Sequence, residues 1–212
     1  MEKINYQKVL DKKLSEIQTV CERPSLLLHA CCAPCSSYVI EYLSSYFDIT
    51  LLYYNPNISP SEEYRKRSEE LMRLVREMEG IKNVSVVTAP YTPEEFYEIS
   101  KGLERLSEGG ERCFKCYRLR LEYSARYALE NGFDYFTTTL SISPHKNAEV
   151  LNGIGGELSE KYGVPYLFSD FKKKNGYKRS TELSVRYGLY RQDYCGCVYS
   201  KAAREDLSIS GK

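Results

Sequence analysis

The sequence lacks any long apolar run. Nowhere in its 212 residues does an apolar stretch approach the ~18 residues that a membrane-spanning helix needs. The opening segment, MEKINYQKVLDKKLSEIQ, is a charged amphipathic pattern without the apolar centre of a secretory signal peptide. These absences exclude a membrane-spanning protein, and we expect a cytoplasmic protein with no membrane partner.

An excess of charge of one sign is also missing. Lys and Arg number 30 against 29 Asp and Glu, a formal net charge of +1, so any nucleic-acid site must come from local clustering. Internal repeats, low-complexity tracts and linkers that would separate domains are absent as well. We therefore expect one domain over 1–212, with an N-terminal helix in 1–23 and a C-terminal extension over 170–212.

Cysteine, by contrast, is abundant, with eight residues. In a reducing compartment this number favours metal ligation or redox chemistry over a disulfide framework. Cys21 stands alone, and we expect it to be a small residue outside any site. The other seven form three tight groups: Cys31, Cys32 and Cys35; Cys113 and Cys116; Cys195 and Cys197.

Five short apolar runs alternate with helix-length segments. The runs are SLLLHAC (25–31), ITLLYY (49–54), VSVVTA (84–89), DYFTTTL (134–140) and VPYLFS (164–169). This alternation predicts the α/β class, with a doubly wound, mainly parallel five-stranded sheet and helices on both faces. In the strand order 3-2-1-4-5, ligands bind beyond the carboxyl ends of the strands, next to the first strand.

Three helices have recognisable limits. The segments Ser59 to Glu62 and Thr92 to Glu95 each predict a capping box, with proline at the first helical position. The first of these helices is expected to end at Gly80. A third helix is predicted from Cys113 to about Glu130, and it begins at the carboxyl edge of the sheet.

The cysteine groups should therefore converge at that edge. Cys31 to Cys35 follow the first strand, and Cys113 and Cys116 lie on the inward face of the first turn of their helix. Thiolate-rich sites bind zinc or iron–sulfur clusters. A structural zinc ion needs four ligands, so the surplus of thiols favours redox chemistry.

The segment YCGC (194–197) holds two of the surplus thiols. Gly196 allows a turn that brings Cys195 and Cys197 together, and a disulfide across so small a loop would be strained and easily reduced. The pair could store two electrons or ligate a second metal. Asp193 is either a turn residue or a further ligand of an iron ion.

Two loops and one basic stretch are candidates for substrate binding. Asn55 and Asn57 follow the second strand and Lys146 follows the fourth, although turn chemistry explains most such residues. The stretch FKKKNGYKRS (171–180) predicts either a solvated loop or RNA contact through phosphate pairing and base stacking. Its candidate contact residues are Lys172, Lys173, Lys174, Tyr177, Lys178 and Arg179.

Five ordered motifs resemble the cobalamin-independent epoxyqueuosine reductases. They are LLLHACCAPCS, YYNPNISPSEEYRKR, ERCFKCYRLRLE, TTLSISPHK and LYRQDYCGCVYS, and they span about Pro24 to Ser200. The resemblance implies an adenine-nucleotide-hydrolase-like (HUP-like) α/β fold and a catalytic domain. It also implies the reduction of epoxyqueuosine to queuosine at the wobble position of tRNA, the last step of queuosine biosynthesis. The implied partners are a tRNA anticodon loop bearing epoxyqueuosine and an unidentified electron donor.

The resemblance further implies the cofactors and their ligands. A 4Fe–4S cluster would be held by Cys31, Cys32, Cys113 and Cys116, with an additional iron nearby. Cys35 could replace Cys31 or Cys32 as a ligand, because adjacent residues on a strand point to opposite faces unless the chain turns. The catalytic pair would be Cys195 and Cys197, as ligands of a Lewis-acidic iron or as a dithiol that ends as a disulfide.

Two other functions fit parts of the pattern. An iron–sulfur tRNA-thiolating enzyme could use the same fold, but such enzymes generally activate the base with ATP, and the sequence lacks an SGGxDS-like turn for pyrophosphate. A zinc-stapled RNA-binding module would explain two cysteine groups and the basic stretch. That module would leave Cys195 and Cys197 without a role.

Overall fold

Four parallel strands form the central sheet. The computed structural model describes residues 4–19 and 23–210. Its strands are β1 (Ser25–His29), β2 (Asp48–Tyr53), β3 (Val84–Thr88) and β4 (Tyr135–Thr138), in the order β3-β2-β1-β4. Every neighbouring pair is parallel. The α/β class and the expected order of the first four strands are confirmed.

The expected fifth strand is not formed. Segment 164–169 lies beside β4, as the order 3-2-1-4-5 requires, but it makes only an isolated parallel bridge between Phe136 and Tyr166. Pro165 has no N–H with which to extend the pairing in one direction. In the other direction, the Thr137 hydroxyl donates to the Leu167 carbonyl at 2.8 Å, so this carbonyl is already engaged.

Helices cover both faces of the sheet. Leu26 and Leu28 of β1 pack in one apolar core and Leu27 in the other, as alternation along a strand dictates. The first core contains residues of α1, α2 and α3, and the second contains residues of α5 and α6. The helices are α1 (Tyr6–Gln18), α2 (Ala33–Leu43), α3 (Ser61–Glu77), α4 (Pro93–Ser100), α5 (Glu111–Glu130), a 3-10 turn (Thr139–Ile142), α6 (Ala148–Tyr162), α7 (Gly176–Arg186) and α8 (Val198–Ser210).

The start of α3 differs from the prediction. The helix begins at Ser61 with Pro60 as its N-cap, and no side chain caps it. Ser59 bonds elsewhere: its N–H donates to the Gly196 carbonyl at 2.9 Å, and its carbonyl accepts from the Tyr194 hydroxyl at 3.3 Å. The expected capping box is therefore wrong, because tertiary contacts engage the residue that was to cap the helix.

The other helix limits lie closer to expectation. Helix α4 begins at Pro93 with Thr92 as N-cap, although the Thr92 hydroxyl caps no helix N–H. Helix α3 ends at Glu77, before Gly80, and α5 starts two residues ahead of Cys113.

The remaining predictions about helices concern the two ends of the described chain. Helix α1 lies within the predicted N-terminal helical segment, whereas Cys21 lies outside the described residues. Helix α7 packs against α2, and Arg179 donates two hydrogen bonds to the Glu41 carboxylate, at 2.9 and 2.7 Å. Among the described helices, none combines the length and the apolar character of a membrane-spanning segment.

Candidate active site

A cavity of about 590 Å³ opens at the carboxyl edge of the sheet. Its walls come from the turn after β1, the segment after β4 and residues 191–204. The thiols of Cys31, Cys32, Cys35 and Cys195 line it. A cavity of this size is large enough for a nucleoside or another small ligand.

The turn between β1 and α2 brings three thiols together. Cys32 is the extended N-cap of α2, and Cys35 lies in the first turn of that helix. The chain turns sharply enough that the Sγ atoms of Cys31, Cys32 and Cys35 all lie within 4.8 Å of one another. These three sulfur atoms could hold a metal ion, and the positive end of the helix dipole favours anionic sulfur there.

The three thiols differ in pKa. Thiols of Cys32 and Cys35 donate to the Cys31 sulfur, which holds the pKa of Cys31 well below its usual range. The same interaction raises the pKa of Cys32 to about 12 and the pKa of Cys35 well above its ordinary value. Of the three thiols, Cys31 therefore loses its proton most readily.

The two cysteines of α5 lie outside this group. Cys113 Sγ accepts a hydrogen bond from the Gly109 N–H at 3.2 Å. Cys116 is buried in a small cluster with Cys197, and burial raises its pKa to about 11. Neither residue lines the cavity. Burial also raises the pKa of Cys113, and the proximity of Cys195 raises the pKa of both thiols further. Cys195 is therefore the thiol that links the cavity to the cysteines of α5.

The Cys195–Gly196–Cys197 turn is held by both long-range and local contacts. The Cys195 carbonyl accepts from Arg67 Nη1 at 3.1 Å, and its N–H donates to Ser200 Oγ, also at 3.1 Å. The Ser200 N–H donates to Cys197 Sγ at 3.3 Å, and burial raises the pKa of Cys197 to about 12. All seven described cysteines are free thiols.

Gly196 is required by the geometry of this turn. Its φ is +121°, a conformation that favours glycine. A Cβ at this position would lie 2.9 Å from Ile58 Cγ1 and 3.1 Å from Arg67 Nη1.

Two buried arginines belong to the site, and the sequence analysis missed both. Arg67 and Arg120 line the cavity, and each side chain is only 2% exposed, with no hydrogen-bond partner for its Nη2 among the described residues. Arginine on an amphipathic helix is usually a surface residue. One signal was available, because Arg67 falls on the apolar stripe of α3 between Tyr64 and Leu71.

The polar residues predicted for substrate binding have different roles in the structure. Asn55 is buried: its amide donates to the Ala30 carbonyl at 2.9 Å, and its oxygen accepts from Arg120 at 3.3 Å. Asn57 is buried too, with neither amide atom hydrogen-bonded among the described residues. Neither residue lines the cavity, and Asn55 is connected with it through Arg120.

Lys146 and Asp193 line the cavity itself. Burial alone would lower the pKa of Lys146, but the negative charges of Cys195, Cys31 and Cys35 raise it overall. Asp193 forms an ion pair with Arg204 at 3.7 Å.

The basic stretch 171–180 is largely neutralised by the protein. Lys172 pairs with Asp170 and Lys174 with Asp11, each at 2.7 Å, and Arg179 pairs with Glu41. The second half of the stretch forms the start of α7, so the stretch is not a loop throughout. Lys173 and Lys178 have no ion pair with any described residue, and Tyr177, 42% exposed, lines the cavity.

The buried histidine of β1, His29, takes no part in the chemistry of the site. His29 Nδ1 accepts from the Thr138 hydroxyl at 2.9 Å, and its Nε2–H donates to the Tyr54 carbonyl at 3.0 Å. Burial and the nearby Arg120 charge lower the pKa of His29 to about 4. The residue is a neutral core histidine with both ring nitrogens hydrogen-bonded.

Comparisons with known proteins identify the family. A family model described as "Epoxyqueuosine reductase QueH" matches residues 26–203. Relatives of that name from Streptococcus pyogenes serotype M1 and Staphylococcus epidermidis are 44% and 45% identical, over 94% of this chain and 79% and 85% of their own lengths. One from Thermotoga maritima is 37% identical over 86% of this chain and 93% of its own. The resemblance of the five motifs is thereby confirmed, and the chain belongs to the epoxyqueuosine reductase QueH family.

Proposed function

We propose that this chain is an epoxyqueuosine reductase, an oxidoreductase that converts epoxyqueuosine to queuosine in tRNA. The observation that carries this proposal is the 44% identity, over 94% of the chain, to a protein named for that activity. The reaction opens the epoxide, forms an alkene and releases water, which consumes two electrons and two protons. A cavity lined by four thiols suits such redox chemistry.

We propose that the thiols hold a 4Fe–4S cluster, with Cys31, Cys32, Cys113 and Cys116 as its ligands and Cys35 as the alternative to Cys31 or Cys32. The residues fit an anionic metal–thiolate group in three respects. Three sulfur atoms lie within 4.8 Å of one another. Backbone N–H groups donate to two further sulfur atoms, those of Cys113 and Cys197. Buried cations line the same cavity. When bound, such a cluster supplies electrons one at a time.

We propose that Cys195 and Cys197 provide the second redox or Lewis-acidic group that one cluster lacks. They serve either as ligands of an additional iron, with Asp193 as a further ligand, or as a dithiol that is oxidised to a disulfide. Cys195 faces the cavity while Cys197 is buried, so Cys195 is the thiol that meets the substrate. Iron analysis of anaerobically purified protein separates the versions, because iron no higher than the cluster alone removes the additional ion.

The tRNA anticodon loop is proposed to lie across the mouth of the cavity. Tyr177 offers an aromatic face at the rim, and exposed Lys173 and Lys178 are available to phosphates. Lys172, Lys174 and Arg179 are weaker candidates, because carboxylates of the protein already pair with them. The two electrons come from a separate donor.

The test is anaerobic incubation of reduced, iron-reconstituted protein with tRNA bearing epoxyqueuosine, followed by nucleoside mass spectrometry. We expect the modified nucleoside to lose the mass of one oxygen. No change under several reductants would overturn the function. Colour is an independent check, because an anaerobic preparation that is colourless and contains stoichiometric zinc contradicts the iron–sulfur proposal.

A further inference from the structure

Arg120 is a buried cation with no carboxylate partner. Its side chain is 2% exposed, and it forms no ion pair within the part of the chain that the structure describes. Its Nε donates to the Cys116 carbonyl and its Nη1 to the Asn55 oxygen, both at 3.3 Å, while Nη2 has no partner. These partners are neutral. A buried charge is costly unless an opposite charge compensates it, so a negative group must lie nearby.

Thiols are among the acidic groups that line the cavity with Arg120. The lining includes Arg120 together with Cys31, Cys32, Cys35 and Cys195. The charge of Arg120 therefore lies at the same cavity as thiols from two of the three cysteine groups.

Other buried arginines are compensated differently. Arg67 is equally buried and also has an open Nη2, but its Nε pairs with the Glu63 carboxylate at 2.6 Å. Arg112 donates to three loop carbonyls through Nη1, stacks on the Tyr199 ring and does not line the cavity. Arg120 thus differs from both in facing the thiols with an uncompensated charge.

We infer that Arg120, together with Lys146 at the same cavity, is a counter-ion of the thiol site, and that it is a positioning residue that raises the reduction potential of the group held there. This inference rests on the proposed function, because it takes the thiols to hold an electron-carrying cluster. Gaining an electron adds one negative charge to that group. A fixed positive charge in a site of low dielectric constant stabilises the more negative, reduced state.

The contacts of Arg120 also explain how it positions the site. Through Asn55 it is connected to the Ala30 carbonyl, immediately before Cys31, and directly to the Cys116 carbonyl. It therefore connects the turn after β1 to α5. Losing the side chain would affect both the charge and the spacing of these two segments, so a test must separate the two effects.

The first experiment is an anaerobic reductive titration of reconstituted protein, followed by its visible absorbance. We expect Arg120→Gln to favour the oxidised state by about tenfold, a shift of about 59 mV to more negative potential for a one-electron couple. Arg120→Lys keeps the charge and should stay close to the wild-type potential. An unchanged potential in folded Arg120→Gln would overturn the inference.

A variant of opposite sign gives the matched control. Glu63→Gln leaves Arg67 in place but removes its counter-ion, so a second uncompensated cation then faces the cavity. The potential should move to more positive values. A shift in the same direction as Arg120→Gln would show that disturbed packing, not charge, controls the potential. If Arg120→Gln fails to fold, the potentials of Arg120→Lys and Glu63→Gln still test the inference.

A metal-free measurement separates this inference from the proposed function. Apo protein is alkylated with iodoacetamide at one fixed pH, and adducts at Cys31 and Cys195 are quantified by mass spectrometry. Because the thiolate is the nucleophile, loss of the counter-ion should slow both adducts several-fold in Arg120→Gln. If the protein binds no iron–sulfur cofactor, the proposed function fails but this measurement still stands. Equal rates in wild type and folded Arg120→Gln would refute the counter-ion role.

Discussion

Two turns carry thiols into the cavity, and the protein holds them in different ways. The turn from Cys31 to Cys35 is fixed by the regular structure on either side of it: the Ala30 N–H bonds to the Leu52 carbonyl of β2 at 2.9 Å, and the Ser36 N–H bonds back to the Cys32 carbonyl of the helix at 3.1 Å. The turn from Cys195 to Cys197 follows no strand. Residues far away in the chain, Ser59 and Arg67, hold it in place.

This difference allows two questions to be tested separately: what the thiols bind, and how accurately a thiol must be placed. The first turn cannot be loosened without disturbing β1 or α2, so changes there test what its thiols bind. The second turn can be loosened through Arg67, Ser200 or Gly196 while both thiols remain. Changes around it therefore test how accurately a thiol must be placed.

The largest effects are expected from exchanging one thiol in each turn. Cys31→Ser should lose cluster absorbance together with turnover, because it removes a proposed ligand. Cys195→Ser should reduce turnover to background and keep the absorbance. Absorbance spectra and nucleoside mass spectrometry of both variants check this. A colourless Cys195→Ser protein would show that the second turn also ligates the cluster.

Gly196→Ala should have the next largest effect. The new Cβ would lie 2.9 Å from Ile58 Cγ1 at a φ of +121°. We expect a loss of about 2–5 kcal/mol in unfolding free energy, from backbone strain and overpacking together. Gly188→Ala is the control, because its φ is +54° and nothing lies within 4 Å of the added Cβ. Urea denaturation should give only about 1–2 kcal/mol there, from the left-handed backbone alone. Equal losses in both variants would contradict a tightly packed turn.

Ser200→Ala should loosen the second turn more gently. Its hydroxyl accepts from the Cys195 N–H at 3.1 Å and donates to Glu108 at 3.0 Å. Removing it leaves the Cys195 N–H unpaired, which costs about 1–3 kcal/mol, and kcat should fall more than KM rises. Ser100→Ala is the matched control, since that buried hydroxyl bonds only within α4. Steady-state kinetics with both variants would contradict the role of Ser200 if their kcat values were equal.

The smallest effect should come from a change outside both turns. Lys178→Ala should weaken tRNA binding a few-fold and reduce the salt dependence of log K by about 1, the signature of one lost phosphate contact. Lys174→Ala serves as the control, because Lys174 already pairs with Asp11 at 2.7 Å. Fluorescence anisotropy at several salt concentrations measures both. Identical salt slopes for wild type and Lys178→Ala would remove Lys178 from the proposed interface.

The local part of the site could be predicted from the sequence. Apolar runs predicted β1 to β4, and CCAPC after β1 predicted a turn whose thiols meet, because a strand ends just before this turn and a helix begins within it. The prediction of a strand over 164–169 was wrong. The apolar content of this segment does not show that Pro165 lacks an N–H donor or that Thr137 engages the Leu167 carbonyl.

The long-range part could not be predicted in the same way. The capping pattern at Ser59 was typical of a helix start, but the Gly196 carbonyl bonds to that residue from a distant part of the chain. Arg67 and Arg120 carry no local signal of a cavity. The basic stretch suggested free charge, whereas Asp11, Glu41 and Asp170 neutralise most of it. Apart from the pairing of Lys172 with nearby Asp170, each of these outcomes depends on a partner that only the fold brings close.

Position 195 is hydrogen-bonded through its main chain on both sides, by Arg67 at the carbonyl and Ser200 at the N–H. No part of this anchoring uses the sulfur. Serine, aspartate or selenocysteine installed there would inherit the same location, so a difference in reaction rate could be assigned to the nucleophilicity, charge or polarisability of one atom. The site therefore offers a setting for comparative chemistry in which the side chain is varied and the scaffold is constant.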